Sequence, residues 1–198
     1  MSRRARLVSL VVLAVAGGWF LFVALPRWYA PKAPGAAPDG TASPAAPERK
    51  IKATLYYISE DGMSLVGVTR EVPFGEQVVE QARRIVEAQL EPAPGSLATS
   101  IPAETKLRAL FVSERGDAFV DLSGEVSARH SGGALDELFT VYAIVDALTV
   151  NLPAITRVQI LVEGKEVDTI AGHVDLRHPL QKSLKWVKGD QTNSESRE

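Results

Sequence analysis

The 198-residue sequence contains no cysteine. That excludes disulfides, thiolate zinc sites, cysteine nucleophiles and a lipidated cysteine anchor, and it leaves the redox compartment unassigned. Histidine occurs only at His130, His173 and His178. No Walker loop, Rossmann glycine fingerprint or G-x-S-x-G elbow occurs, so the sequence offers no cofactor and no familiar nucleophile setting. A basic excess is also missing from most of the chain. From Ile51 onward there are 15 Lys/Arg against 22 Asp/Glu, a balance that argues against nucleic-acid binding, which needs a positive footprint to displace phosphate counterions.

The first fifty residues differ from the rest. Leu7 to Leu25 is a run of 19 residues without a charge, long enough as a helix to span roughly 28 Å against a hydrocarbon core of ~30 Å. Arg3, Arg4 and Arg6 precede it, and the sparser Arg27 and Lys32 follow. The positive-inside rule therefore predicts a single-pass anchor at residues 1–25, with a cytoplasmic N-terminus and an extracytoplasmic C-terminal domain. A cleaved signal peptide is the competing reading, although no small-x-small site lies close behind the apolar run. Residues 26–50 hold six of the twelve prolines and read as a semi-rigid spacer.

From residue 51 the pattern alternates between strand and helix periods. Ile51, Ala53, Leu55 and Tyr57 share one face of a strand, Glu60-Asp61-Gly62 turns the chain, and Leu65 to Val72 returns. A helix opens at Glu76 with Val78, Ala82, Ile85, Val86 and Leu90 on one side, and Pro92 and Pro94 end it. Lys106 to Glu114 and Asp117 to Leu122 form a second β pair. A second helix follows with the stripe Leu135, Leu138, Tyr142, Val145 and Leu148, closed by Asn151 and Pro153. Arg157 to Glu163 and Glu166 to Ile170 give a third pair, and His173 to Pro179 a closing loop. The predicted fold is a single α+β domain over 51–187, of order ββ-α-ββ-α-ββ. Its antiparallel or mixed sheet carries both helices on one face and follows one transmembrane helix. Residues 188–198 read as a disordered polar tail.

In this order, four stretches resemble the GerMN domain, a family named after a spore-germination protein and found on bacterial envelopes. Leu65, Val66, Val68, Arg70 and Val72-Pro73 fit its second strand; Ile101, Pro102, Thr105 and Leu107 fit its I-P-x-x-T-x-L element. Val120, Asp121, Leu122 and Ser123 fit V-D-L-S, and Gly172, Asp175, Leu176 and Pro179 fit the closing G-x-x-D-L-x-x-P. The resemblance implies a small α/β fold similar to the ring-building domains of sporulation and secretion assemblies, without known catalytic residues. The chain departs from the pattern in having one such domain, where the germination protein has two, and no cysteine for lipid attachment.

Catalytic alternatives rest on few residues. His173, Asp175 and His178 are of types that ligate zinc or iron, but their spacing matches no metal motif, and surface loop residues are the simpler reading. Asp121 and Ser123 with His130 could be written as a nucleophile set, though Asp and Ser at a strand end more simply satisfy backbone groups. The function predicted is a membrane-tethered, non-catalytic envelope domain. It would contact the bilayer through Leu7–Leu25 and bind envelope proteins, peptidoglycan or copies of itself. The alternatives are a cell-wall hydrolase using Asp121, His173 and Asp175, and a small-ligand sensor.

Overall fold

The computed structural model describes residues 49–189. The predicted span Leu7–Leu25, nearly all of the spacer and most of the polar tail lie outside the described residues.

Two nine-residue strands, β1 (Lys50–Ile58) and β2 (Leu65–Pro73), form an antiparallel hairpin in continuous register from Lys50↔Pro73 to Ile58↔Leu65. Alternation decides which face is buried. Ala53, Leu55, Tyr57 and Val72 enter the core, while Lys50, Lys52, Gly67, Thr69 and Glu71 face solvent. At the open end of the hairpin the Arg49 guanidinium lies 3.4 Å from the centroid of the Phe74 ring.

Helix α1 (Val78–Leu90) follows and buries Ala82, Ile85 and Val86. Strands β3 (Leu107–Val112) and β4 (Asp117–Leu122) pair antiparallel, with a register shift between Leu107 and Ala109. Their turn requires Gly116: φ is +81°, and a Cβ there would meet the Ala154 carbonyl at 2.6 Å. After the single turn α2 (Glu125–Ala128) comes the longest helix, α3 (Ala134–Asn151). Strand β5 (Arg157–Val162) then lies parallel to β4. The short strands β6 (Lys165–Glu166) and β7 (Leu180–Gln181) both pair antiparallel with β5, and a 3-10 turn at Leu184–Trp186 ends the domain.

The fold class is corrected in three respects. Strands divide into the β1–β2 ribbon and a separate five-stranded mixed sheet in the order β3-β4-β5-β6, with β7 also on β5. Helix α3 contacts β1, α1 and β5, so its middle is buried nearly all round, from Phe139 to Leu148, and the predicted stripe is too narrow: Leu135, Leu138 and Tyr142 are only partly buried. The third strand pair is cut to two residues because the chain after Glu166 leaves the sheet for an irregular loop.

The third respect is the membrane. No helix among the described residues is long and apolar enough to cross one; the 18 residues of α3 carry Asp136, Glu137 and Asp146. The architecture is a compact α+β domain with a mixed sheet and a few helices. The single-pass topology, the bilayer contact and the location inferred from them have nothing in the described structure to rest on.

Among the described residues strand β1 has one neighbouring strand but two hydrogen-bonding edges. On the second edge Gln89 of α1 accepts from the Tyr56 N–H (2.9 Å) and donates to the Tyr56 carbonyl (2.7 Å). Asn151, the last residue of α3, does the same for Thr54 at 2.8 and 2.7 Å. Ile58 exchanges backbone bonds with Ala98. Two side-chain amides and one loop residue thus take the place of a third strand. Replacing Gln89, which is wholly buried, by Met leaves a donor and an acceptor of β1 unpaired. The expected loss is about 2–5 kcal/mol in urea unfolding, since each buried unsatisfied group costs ~1–3.

Candidate interaction surface

The residues singled out from the sequence are dispersed through the structure and engaged in holding it together. Arg70 donates to the Tyr57 hydroxyl (3.0 Å), the Ala88 carbonyl (3.4 Å) and Glu91 (2.7 Å), so it caps the C-terminal end of α1. The Pro73 carbonyl accepts from Gln81, which also accepts the Gly75 N–H. Ile101 is buried, and the Pro102 carbonyl accepts the Thr105 N–H in the following turn. Asp121 accepts the Gly164 N–H at 2.7 Å and the Arg108 Nε at 3.2 Å. It thereby supports the β5–β6 turn, where Glu163 and Gly164 both take positive φ. Ser123 binds both backbone groups of Lys106.

Asp121, Ser123 and His130 do not form a nucleophile set. His130 is held elsewhere, by Thr140 at Nε2 and the Gly132 N–H at Nδ1. The other histidine loop is equally committed. Asp175 takes three bonds from Arg177, whose side-chain and backbone donors hold its carboxyl well below the usual range. Gly172 donates to Thr169, and Pro179 is half-buried. Among the described residues no group of three or more His, Asp or Glu is arranged to hold a metal.

Two buried carboxylates on α3, neither apparent from the hydrophobic pattern, attach the C-terminal part of the domain. Glu137 accepts the N–H groups of Ile170, Ala171 and His173 at 2.7–2.8 Å, and His173 Nδ1 lies 3.1 Å away. Burial alone would raise its carboxyl; the three backbone donors and the imidazole more than offset that and hold it below the ordinary value. Asp146 accepts only the Ser183 N–H, at 2.9 Å, and its second oxygen has no partner among the described residues. Burial pushes it up to about 6, against the opposing effects of Ser183 and Lys182.

Beyond Ser183 the chain returns to the hairpin. Val187 bridges Leu65 in parallel, the Lys188 N–H donates to the Leu65 carbonyl (2.7 Å), and its ammonium reaches Asp61 (3.1 Å). Ser59, then the Met63 N–H, then Lys188 bring the Asp61 carboxyl down to about 2. Met63 and Trp186, two of the exposed large hydrophobic residues at 71% and 38%, line one cleft of about 430 Å³ together with Val187, Lys185 and Lys188. Phe111 is exposed separately on β3. A second, more polar recess is lined by Thr149, Pro153, Thr156 and Lys182.

The two carboxylates give opposite pH dependences. For Glu137 the folded pKa lies below the unfolded one, so its contribution is full above pH ~4.3 and fades as pH falls through the folded value. Glu137→Gln should lose about 1–3 kcal/mol at pH 7, with the gap closing in acid. For Asp146 the folded value is the higher, so ionisation destabilises the fold as pH rises from about 4 to above 6. Asp146→Asn should be more stable than the parent by about 1–2 kcal/mol at pH 8 and little different at pH 4. Urea unfolding across pH 3–8 measures both.

No curated protein matches the chain. The family described as "Germane: Sporulation and spore germination" matches residues 54–168. Among solved structures, the first GerMN domain of the sporulation protein GerM from Bacillus subtilis is 21% identical with a TM-score of 0.51, over 68% of this chain and 98% of that one. The tandem GerMN domains of the same protein match at 20% identity and a TM-score of 0.51, over 69% of this chain and 47% of theirs, so the chain spans about half of that pair. These likenesses show the same fold. The Germane match covers more than half of the sequence, and the chain therefore belongs to the GerMN family.

Proposed function

We propose that this domain is a protein-interaction module of bacterial envelope assembly, of the kind its family serves in sporulation and germination. One observation carries the reading. The polar groups that a catalytic role would need are occupied by partners within the fold, whereas large apolar side chains stand in solvent. Asp121, Ser123, His130, His173 and Asp175 each hold a turn, a helix or a loop. Met63, Phe111 and Trp186 hold nothing comparable and remain exposed at 71%, 64% and 38%. Exposed apolar side chains gathered on a cleft mark contact surfaces more often than reaction centres. The acidic balance of the domain directs the choice of partner towards protein.

A photo-cross-linking residue placed at Met63, Thr69 or Phe111 of the full-length chain tests this in intact cells. A specific macromolecular adduct at one of these positions, absent from a control at the buried Phe139, is the expected result. Failure to capture any protein from all three positions would overturn the reading.

A further inference from the structure

Strand β2 has an edge that the described residues leave largely open. The bonds of Thr54, Tyr56 and Ile58 to Asn151, Gln89 and Ala98 point away from β2. Their neighbours Ala53, Leu55 and Tyr57 therefore point towards it, and through the register so do Val66, Val68 and Arg70 on the other strand. Leu65, Gly67, Thr69, Glu71 and Pro73 then face outward. The two flanks agree with that assignment, since the Leu65 carbonyl accepts from Lys188 and the Pro73 carbonyl from Gln81. Between them, the backbone groups of Gly67, Thr69 and Glu71 have no hydrogen-bond partner among the described residues, and all three residues are exposed. The chain itself begins a strand on this edge at Val187, then turns at Gly189 with φ +105°.

The cleft of Met63 and Trp186 opens beside that point, with Val187 and Lys188 common to both features. Its rim is basic on a domain whose overall charge is acidic. Lys188 is paired with Asp61, whereas Lys185 has no ion-pair partner among the described residues. Gly67 contributes no side chain; the space a Cβ would take is filled by Thr54 Cγ2 at 3.0 Å and the Tyr56 ring at 3.5 Å. With no side chain of its own, Gly67 leaves its outward backbone groups unshielded on this edge.

We infer that the outer edge of β2 receives an extended segment of a partner protein as an added strand. Its three backbone steps pair with Gly67, Thr69 and Glu71. An apolar side chain fills the Met63–Trp186 cleft, and a side-chain carboxylate two residues along, on the same face of the added strand, meets Lys185. Main-chain bonds supply the affinity in such a mode and the cleft supplies the selection. The inference rests on the interaction reading above and adds to it the surface and the chemistry of the partner.

The probe is a ten-residue fluorescein-labelled peptide of alternating valine and threonine with a leucine and a glutamate two residues apart near an end, titrated against the full-length chain. Binding should saturate and slow amide exchange at Gly67, Thr69 and Glu71. It should weaken at least tenfold when lysine replaces the glutamate, or when alternate peptide nitrogens are methylated. Lys185→Glu, an exposed substitution that leaves the fold intact, should reverse the preference between the two peptides. Thr69→Pro should abolish binding while circular dichroism remains unchanged. Absence of binding, insensitivity to N-methylation or protection mapping to another surface would overturn the inference. So would a dimer in sedimentation that Thr69→Pro dissociates, because the occupant would then be a second copy. An in-cell adduct formed only at Phe111 would leave the interaction reading standing and remove this one.

Discussion

An isolated two-stranded ribbon is marginally stable in water, and burying one of its strands adds the cost of unpaired backbone groups. Here β1 is placed in the core with a strand on one side only. The fold depends on how its other side is satisfied. Gln89 and Asn151 each present a donor and an acceptor in the arrangement of a peptide unit, and both sit at helix C-termini. The relation runs both ways: the amides pair the strand, and the strand fixes where α1 and α3 end. Asn151 also donates to Ala147 in its own last turn, which ties helix termination to strand pairing.

The same economy appears in the C-terminal part. Little regular structure follows β6, so loop and strap are attached by individual polar groups. Glu137 gathers three consecutive-region amides of the loop, Gln159 of β5 donates to the Leu176 carbonyl at 2.6 Å, and Asp146 holds Ser183. A helix buried on nearly every side can carry such groups only where donors meet them. Glu137 is fully satisfied, and Asp146 is not.

Legibility in the sequence follows the range of the interactions. β1, β2, α1, β4 and α3 were readable because period-2 and period-3.6 patterns are local, and the turns at Asp61-Gly62 and Gly116 carry their own residue signals. The grouping of strands into two sheets was not readable, since it depends on the parallel pairing of β4 with β5 across more than thirty residues. β7 is two residues long and exists because β5 offers it an edge. Gln89, Asn151 and Glu137 look like ordinary helix residues in one dimension. A polar residue on the apolar side of α1 was the available signal for Gln89, beside Ile85 and Val86. Asp121 and Ser123 were legible as groups that satisfy backbone at a strand end, and the family motif positions are spread over the fold without forming a single pocket.

The hairpin also determines how the domain would carry tension. The chain enters β1 at Lys50, opposite Pro73, and leaves at Lys188, beside Leu65 at the far end of the same ribbon. Nine residues of strand separate these points, on the order of 25–30 Å. A pull between them runs along the strands and reaches the ribbon first through the Val187–Leu65 bridge, the Lys188–Leu65 hydrogen bond and the Lys188–Asp61 pair. Resistance to force is set by the unfolding rate under load and not by equilibrium stability. With entry and exit at opposite ends of β1–β2, those few contacts at Leu65 and Asp61 decide how much of a load reaches the ribbon's own hydrogen bonds.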